Sequence, residues 1–251
     1  MQTEVSVREA DSKATAEHGR LADSDLSPEV APLHHRVDAD AWDDIFLVGD
    51  VHGCITELET LLAELEPTDD DLVVFVGDLV RKGPDSAAVV ERVREAQNFR
   101  TVRGNNEQKF VDGTKHRPEL EPHQEWFEAL PAAISFDDVL VTHGGVDPRR
   151  PLSEHGLYDL LETRAVPPEN GYDGPFWFEI HEARPRVFFG HTVLDAPVVT
   201  DGAVGLDTGC VYGGELTAYD YRADDLVSVP AEQTYRDRAQ RKILDLPAIQ
   251  A

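Results

Sequence analysis

Cysteine is scarce in this chain: Cys54 and Cys210 are the only two among 251 residues. Two thiols cannot build a disulfide framework or a four-thiolate zinc site, and they point to a reducing compartment, the cytoplasm. Lysine is also scarce, at five residues, and Lys plus Arg total 23 against 49 Asp plus Glu, a formal net charge of −26. A groove for duplex DNA or RNA needs the opposite field, so duplex nucleic acid is not an expected partner. No apolar run approaches the ~18 residues of a membrane-spanning helix, and the amino terminus is charged rather than a secretory leader. No membrane partner is expected either. An acid-rich, lysine-poor surface suits a protein kept soluble in strong salt, which points to a halophilic source.

What is present is enough for one large domain, with 41% apolar residues to fill its core. Residues 1–40 are polar and acidic without sustained periodicity and read as a flexible tail, with order starting near Trp42. A folded domain is expected over 41–235, followed by a carboxy-terminal extension over 236–251. Within the domain, "IFLVG" (45–49) reads as a buried strand and "ITELETLLAEL" (55–65) as a helix with Ile55, Leu58, Leu61, Leu62 and Leu65 on one face. "LVVFVG" (72–77), "FRTVRG" (99–104) and "VLVTHGG" (139–145) are further strands, with a second helix from Ser86 to Gln97. After about residue 180 strands dominate, in "RVFFGH", "AVGLD", "ELTAYDY" and "LVSVP". An α/β first half and a β-rich second half predict two packed, mixed β-sheets flanked by helices. Near-continuous apolar strands suit sheets covered on both faces.

Five of these strands run into a glycine-containing turn that carries metal-binding side chains. The turns are Gly49-Asp50-Val51-His52-Gly53, Gly77-Asp78, Gly104-Asn105-Asn106-Glu107, His143-Gly144-Gly145 and Gly190-His191-Thr192. Each alone is a weak signal, since Asp-x-His after a strand is common without a metal. Five in succession are hard to account for by core packing. Their donors are carboxylate, imidazole and amide, which suits divalent manganese, iron, zinc or cobalt rather than a thiolate site.

In "GDVHG", "GDLVRKGPDS", "RGNNE", "THGG", "FGHT" and "LDTGCVYGGELTAY", spread over about residues 45–222, the chain resembles the calcineurin-like metallophosphoesterases. The branch it resembles most holds phosphoprotein phosphatases and diadenosine tetraphosphatases. The resemblance implies an α/β sandwich and two divalent ions, manganese foremost. Asp50 and His52 would hold the first ion, Asp78 would bridge both, and Asn105, His143 and His191 would complete the second. A metal-activated water would then attack phosphorus in a phosphate ester or anhydride, so a small phosphorylated molecule or a phosphoprotein is the expected partner. Arg103 matches an arginine common in the family's corresponding motif, Lys82 stands where an arginine is frequent, and Arg164 is a candidate clamp. All three are expected to hold phosphate oxygens.

Two positions depart from the family pattern. The usual Gly-Asn-His motif carries a histidine that protonates the leaving group, oriented by an aspartate; here those positions are Asn106 and Arg81. Asparagine cannot deliver a proton at neutral pH. Substrates whose leaving group departs without one, such as dinucleoside polyphosphates, are therefore expected to be favoured over phosphoserine. A serine/threonine protein phosphatase is the alternative, and a catalytically weak phospho-ligand binding module a second. His116 or His123 folding back as the acid is a further option. Cys54 and Cys210 are expected to pack rather than react, and Asp207 to order a turn. Phe176-Trp177-Phe178 reads as core packing or as a wall for a base.

Overall fold

A computed structural model describes residues 21–246. Six strands form one sheet in the order β1 (His34–Arg36), β5 (Ala133–Phe136), β6 (Val139–Thr142), β7 (Arg186–Phe189), β9 (Ala203–Gly205) and β8 (Val198–Val199). Five form the other, in the order β11 (Asp225–Pro230), β10 (Glu215–Asp220), β2 (Ile45–Val48), β3 (Leu72–Phe75) and β4 (Phe99–Thr101). Both are mixed: β2, β3 and β4 run parallel, as do β6, β7 and β9, whereas β10 and β5 pair antiparallel with β2 and β6.

Side-chain alternation explains why the strands are apolar on both faces. Ile45 and Leu47 of β2, Leu72 and Val74 of β3, Val139 and Val141 of β6 and Phe188 of β7 fill the layer between the sheets. Their neighbours in the strands, Phe46, Val48, Val73 and Phe75, face α1 (Ile55–Leu65) and α2 (Ser86–Glu95) on one outer side. Leu140, Val187 and Phe189 face outward on the other side, against α5 (Leu157–Glu162) and α6 (Trp177–Ile180). Two shorter helices, α3 (Asn105–Val111) and α4 (Gln124–Ala129), follow β4. Helix α1 spans the expected residues, with Leu58, Leu61 and Leu62 buried. Trp177 and Phe178 are buried against Phe189, so this aromatic cluster is core.

The amino-terminal expectation needs correction. Residues 1–20 of the expected tail lie outside the described residues, but 21–40 are built into the sandwich. Strand β1 pairs parallel with β5, and Leu21, Leu26 and Val30 are buried in the same cluster as Leu140 and Phe189. His34 is fixed by Asp23 at 2.8 Å and Ser135 at 2.7 Å. Of the expected extension, residues 247–251 lie outside the described residues, and 236–246 pack down: the Arg236 N–H donates to the Val211 carbonyl, and Leu244 exchanges backbone bonds with Val193 and Asp195.

Candidate functional site

The five glycine turns meet where the carboxy-terminal ends of β2, β3 and β4 face those of β6 and β7 across the inter-sheet layer. Crevices beyond the carboxyl ends of strands are where such folds place ligands. Backbone bonds hold the turns to one another: His52 N–H donates to the Asp78 carbonyl at 2.8 Å, and Gly190 N–H to the His143 carbonyl at 2.9 Å. The His191 N–H reaches the Asp50 carboxylate at 3.3 Å, joining the two sheets. His52, Asp78 and His191 adopt left-handed backbone conformations, with φ of 51°, 52° and 65°. Non-glycine residues pay for that conformation, and such strain gathers where side chains are aimed for function. Two glycines permit the close approach: a Cβ at Gly104 would collide with the Asp78 carboxylate, and one at Gly190 with Asp50.

Asp78 lies at the centre. One carboxylate oxygen is 3.4 Å from His143 Nε2 and the other 3.5 Å from His52 Nε2, and Asp50 stands 3.7 Å from the same His52 nitrogen. The His143 and His191 rings are 5.2 Å apart. Asn105 Oδ1 accepts from the Asn106 amide at 3.0 Å, and that amide also donates to Asp78. All six expected ligand positions therefore lie in one cluster.

The donors fit a divalent cation. His52 Nδ1–H donates to the Val80 carbonyl at 3.1 Å and His143 Nδ1–H to the Val76 carbonyl at 2.9 Å, which leaves each Nε2 lone pair aimed inward. Metal-binding imidazoles are fixed by a backbone carbonyl in this way. His143 Nε2 is buried and has no hydrogen-bond partner among the described residues. Burial, then Lys82, depresses the His52 imidazole to about 3, so it stays neutral and able to donate a lone pair. Burial, followed by Asp207 and Asp78, raises the Asp50 carboxyl well above its ordinary range. At Asp78 burial works in the same upward direction, but the His143 and His52 imidazoles outweigh it and hold the carboxyl well below that range. Concentrated buried carboxylates of this kind are what a cation would neutralise.

Two of the three expected phosphate-holding cations are at the cluster. Lys82 Nζ is 2.5 Å from His52 Nε2, and an Arg164 guanidinium nitrogen is 2.7 Å from His191 Nε2. Arg103 is not available to a substrate. It is 4% exposed and donates to Gln108 at 2.9 Å and to the carbonyls of Glu128 and Leu130, tying α3 to the end of α4. Arg81 and Asn106 do meet, with the Arg81 guanidinium donating to Asn106 Oδ1. Neither His116 nor His123 folds back as an acid: His116 pairs with Glu121 at 2.9 Å and His123 with Arg94 at 2.6 Å. Asp207 orders its turn as expected, accepting from the Gly209 N–H at 3.2 Å. A hydrogen bond to Cys54, then burial, raises the Cys210 thiol far above its ordinary value, so it is no nucleophile.

Several site residues are given no role by the sequence alone. Glu107 is fully buried and accepts from the N–H groups of Asp78, Val80 and Gly104 at 2.8–3.1 Å, pinning the Asp78 turn. The signal for it was present, as the last letter of "RGNNE". Arg238 had no such signal. It donates to the Tyr212 hydroxyl at 2.9 Å and the Tyr172 hydroxyl at 2.7 Å. Lys82 sits 5.4 Å over the Tyr212 ring and Arg164 4.3 Å over the Tyr172 ring. Lys82, Tyr212, Arg238, Tyr172 and Arg164 thus form an arc of alternating cations and aromatics from His52 round to His191.

An α/β sandwich that gathers imidazole, carboxylate and amide donors under a cationic arc has the makings of a metallophosphoesterase. The profile of the calcineurin-like phosphoesterase family matches residues 44–228, and the chain belongs to that family. It is accordingly a metal-dependent hydrolase. It is 29% identical over 234 residues to an asymmetrical bis(5'-nucleosyl)-tetraphosphatase of Halalkalibacterium halodurans, covering 74% of this chain and 94% of that one. It is 29% identical over 217 residues to serine/threonine-protein phosphatase 1 of Salmonella typhimurium, covering 74% and 95%. A crystal structure assigned as a diadenosine tetraphosphatase superposes with a TM-score of 0.69 at 28% identity, covering 79% of this chain and 97% of that one.

Proposed function

We propose that this chain hydrolyses the phosphoanhydride of a dinucleoside polyphosphate of the diadenosine tetraphosphate type, with Asp50, His52, Asp78, Asn105, His143 and His191 holding two divalent ions. The observation that carries the substrate class is the contact between Arg81 and Asn106, which stands where the family places its aspartate–histidine acid pair. A serine alkoxide leaves poorly without a proton. A nucleotide phosphate, whose second pKa is ~6, leaves readily as the anion. The tetraphosphatase relatives support the same substrate class.

When bound, the ions supply a nucleophilic water near neutral pH and offset charge on the phosphoryl oxygens. The protein's own groups do the rest. Lys82 and Arg164 flank the cluster from opposite sides and are placed to grip the phosphoryl group under attack. The Arg81 guanidinium, half-buried beside Asn106, is placed to balance the charge that builds on the departing phosphate. Arg238, held between Tyr172 and Tyr212, extends the cationic surface toward phosphates further along the chain. Manganese is the ion we favour for this oxygen and nitrogen donor set, with iron, zinc and cobalt also fitting it. The acidic composition and the two free thiols support a cytoplasmic protein of a salt-rich cell. Among the described residues no helix is long and apolar enough to cross a membrane.

The second reading, a serine/threonine protein phosphatase, is supported by the Salmonella relative. Comparing kcat/KM for diadenosine tetraphosphate and a phosphoserine peptide in the manganese-loaded protein separates the two. A preference for the tetraphosphate is expected, and a clear preference for the peptide overturns the proposal.

A further inference from the structure

Helix α1 turns one ionisable side chain into the apolar core. Glu57 shares the buried face of Leu58 and Leu61 and is 1% exposed. Carboxylates are rarely that buried unless both oxygens have partners. Oε1 has them, accepting from the Glu232 N–H at 3.0 Å and the Tyr235 hydroxyl at 2.8 Å. Oε2 is buried and has none among the described residues.

Both cysteines of the chain converge on this carboxylate. Cys54 caps the start of α1, three residues before Glu57, and Cys210 opens the short turn Cys210–Tyr212. Both are buried and free of disulfide. The two sulfurs and one Glu57 oxygen all lie within 4.8 Å of one another. Around a tetrahedral zinc, with bonds of ~2.3 Å to sulfur and ~2.0 Å to oxygen, neighbouring donors are about 3.5–3.8 Å apart. The three groups would close on an ion by drawing in by at most about 1.3 Å.

We infer that Cys54, Glu57 and Cys210 form a further metal site for a thiophilic divalent ion such as zinc, distinct from the phosphate-handling cluster. The chemistry of the two donor sets divides them. The cluster around Asp78 offers oxygen and nitrogen only, whereas two sulfurs and a carboxylate select a softer ion. As the ion binds, two metal–sulfur bonds form, the two S–H bonds break and both protons pass to solvent. The empty partnership of Glu57 Oε2 is filled at the same time, and a water completes four-coordination. The site would act on the active centre mechanically. It would tie the residue two positions after His52 to the turn that carries Tyr212 and, through Glu57, to Tyr235 beside the segment bearing Arg238.

Cobalt titration of the metal-stripped, freshly reduced full-length protein tests this, followed by near-ultraviolet absorption. Thiolate ligation gives an intense sulfur-to-cobalt charge-transfer band, which the sulfur-free cluster cannot produce. The band should appear, reach the intensity of one thiolate-bound ion per chain whatever the phosphate-handling cluster also takes up, and be displaced by zinc. It should vanish in Cys54→Ser and in Cys210→Ser, require about tenfold or more cobalt in Glu57→Gln, and persist in Asp78→Asn. No charge-transfer band from the unsubstituted protein at saturating cobalt overturns the inference, as does a band that survives in Cys210→Ser. Because the deciding measurement is on the unsubstituted chain, a variant that fails to fold leaves the test intact.

Discussion

Restoring a proton donor should widen the substrate range, and the structure says that one substitution will not suffice. Asn106 donates to Asp78 and accepts from the Arg81 guanidinium. An imidazole introduced by Asn106→His would stand against that guanidinium. Two unit charges ~4 Å apart repel by about 1 kcal/mol in water and about 4 kcal/mol at an effective dielectric of ~20. With metal bound the Asp78 charge would be offset and Arg81 decides; it is half-buried, so about 1–3 kcal/mol applies, enough to lower the imidazolium pKa by roughly one to two units from ~6.5. At pH 7 the single variant is then almost wholly neutral and gains less than about tenfold. Adding Arg81→Asp reverses the sign of the neighbour, raises the imidazolium pKa and supplies the orienting carboxylate. General acid catalysis is worth ~10²–10⁴-fold, about 2.7–5.4 kcal/mol of barrier, where the leaving group needs a proton. The assay is kcat/KM at pH 7 on a phosphoserine peptide and on p-nitrophenyl phosphate, whose phenolate leaves without one. The double variant should gain ~10²-fold or more on the peptide and stay within about threefold on the aryl ester. An equal gain on both substrates refutes the reasoning, as does a single Asn106→His variant that matches the double.

Asp78→Asn, at the centre of the cluster, should cut metal-dependent hydrolysis of p-nitrophenyl phosphate by more than ~10²-fold, since even outer partners of metal ligands cost 10–100-fold. Arg238→Gln should raise KM for diadenosine tetraphosphate about 10–100-fold, the worth of a charged hydrogen bond of ~1.5–3 kcal/mol, and leave p-nitrophenyl phosphate kinetics nearly unchanged. Glu107→Ala strands three buried N–H groups at ~1–3 kcal/mol each and should lower the thermal midpoint by several degrees or more, read by circular dichroism.

Strand interiors and the five glycine turns were legible because local chemistry fixes them. An alternating, doubly apolar strand has few places to go, and Asp50, His52, Asp78, His143 and His191 sit at strand ends whatever the loops do. Helix α1 was readable from its 55, 58, 61, 62, 65 spacing. Residues 21–40 were not, because β1 is only His34-His35-Arg36, and its place beside β5 is set by partners a hundred residues away. Arg103 shows a different gap. Its motif places the backbone, but its direction is decided by the carbonyls at the end of α4, which sequence does not bring near. Arg238 and its two tyrosines come from three separate segments and share no spacing at all. Arg81 and Asn106 were identified as departures from a pattern, and their contact is what makes them a pair.

The bond from the His191 N–H to the Asp50 carboxylate has a consequence for how the molecule is held together. It is a seam: the proposed ligands from the five-stranded sheet and those from the six-stranded sheet stand on opposite sides of it. Cations binding there would act as a clasp between the two sheets of a chain whose net negative charge works against its compact state. A ligand present at a hundred times its dissociation constant stabilises its host by about 2.7 kcal/mol. Metal supply would then govern how much folded enzyme a cell keeps as well as how fast each copy works, and starvation for the ion would thin the population before it slowed the survivors.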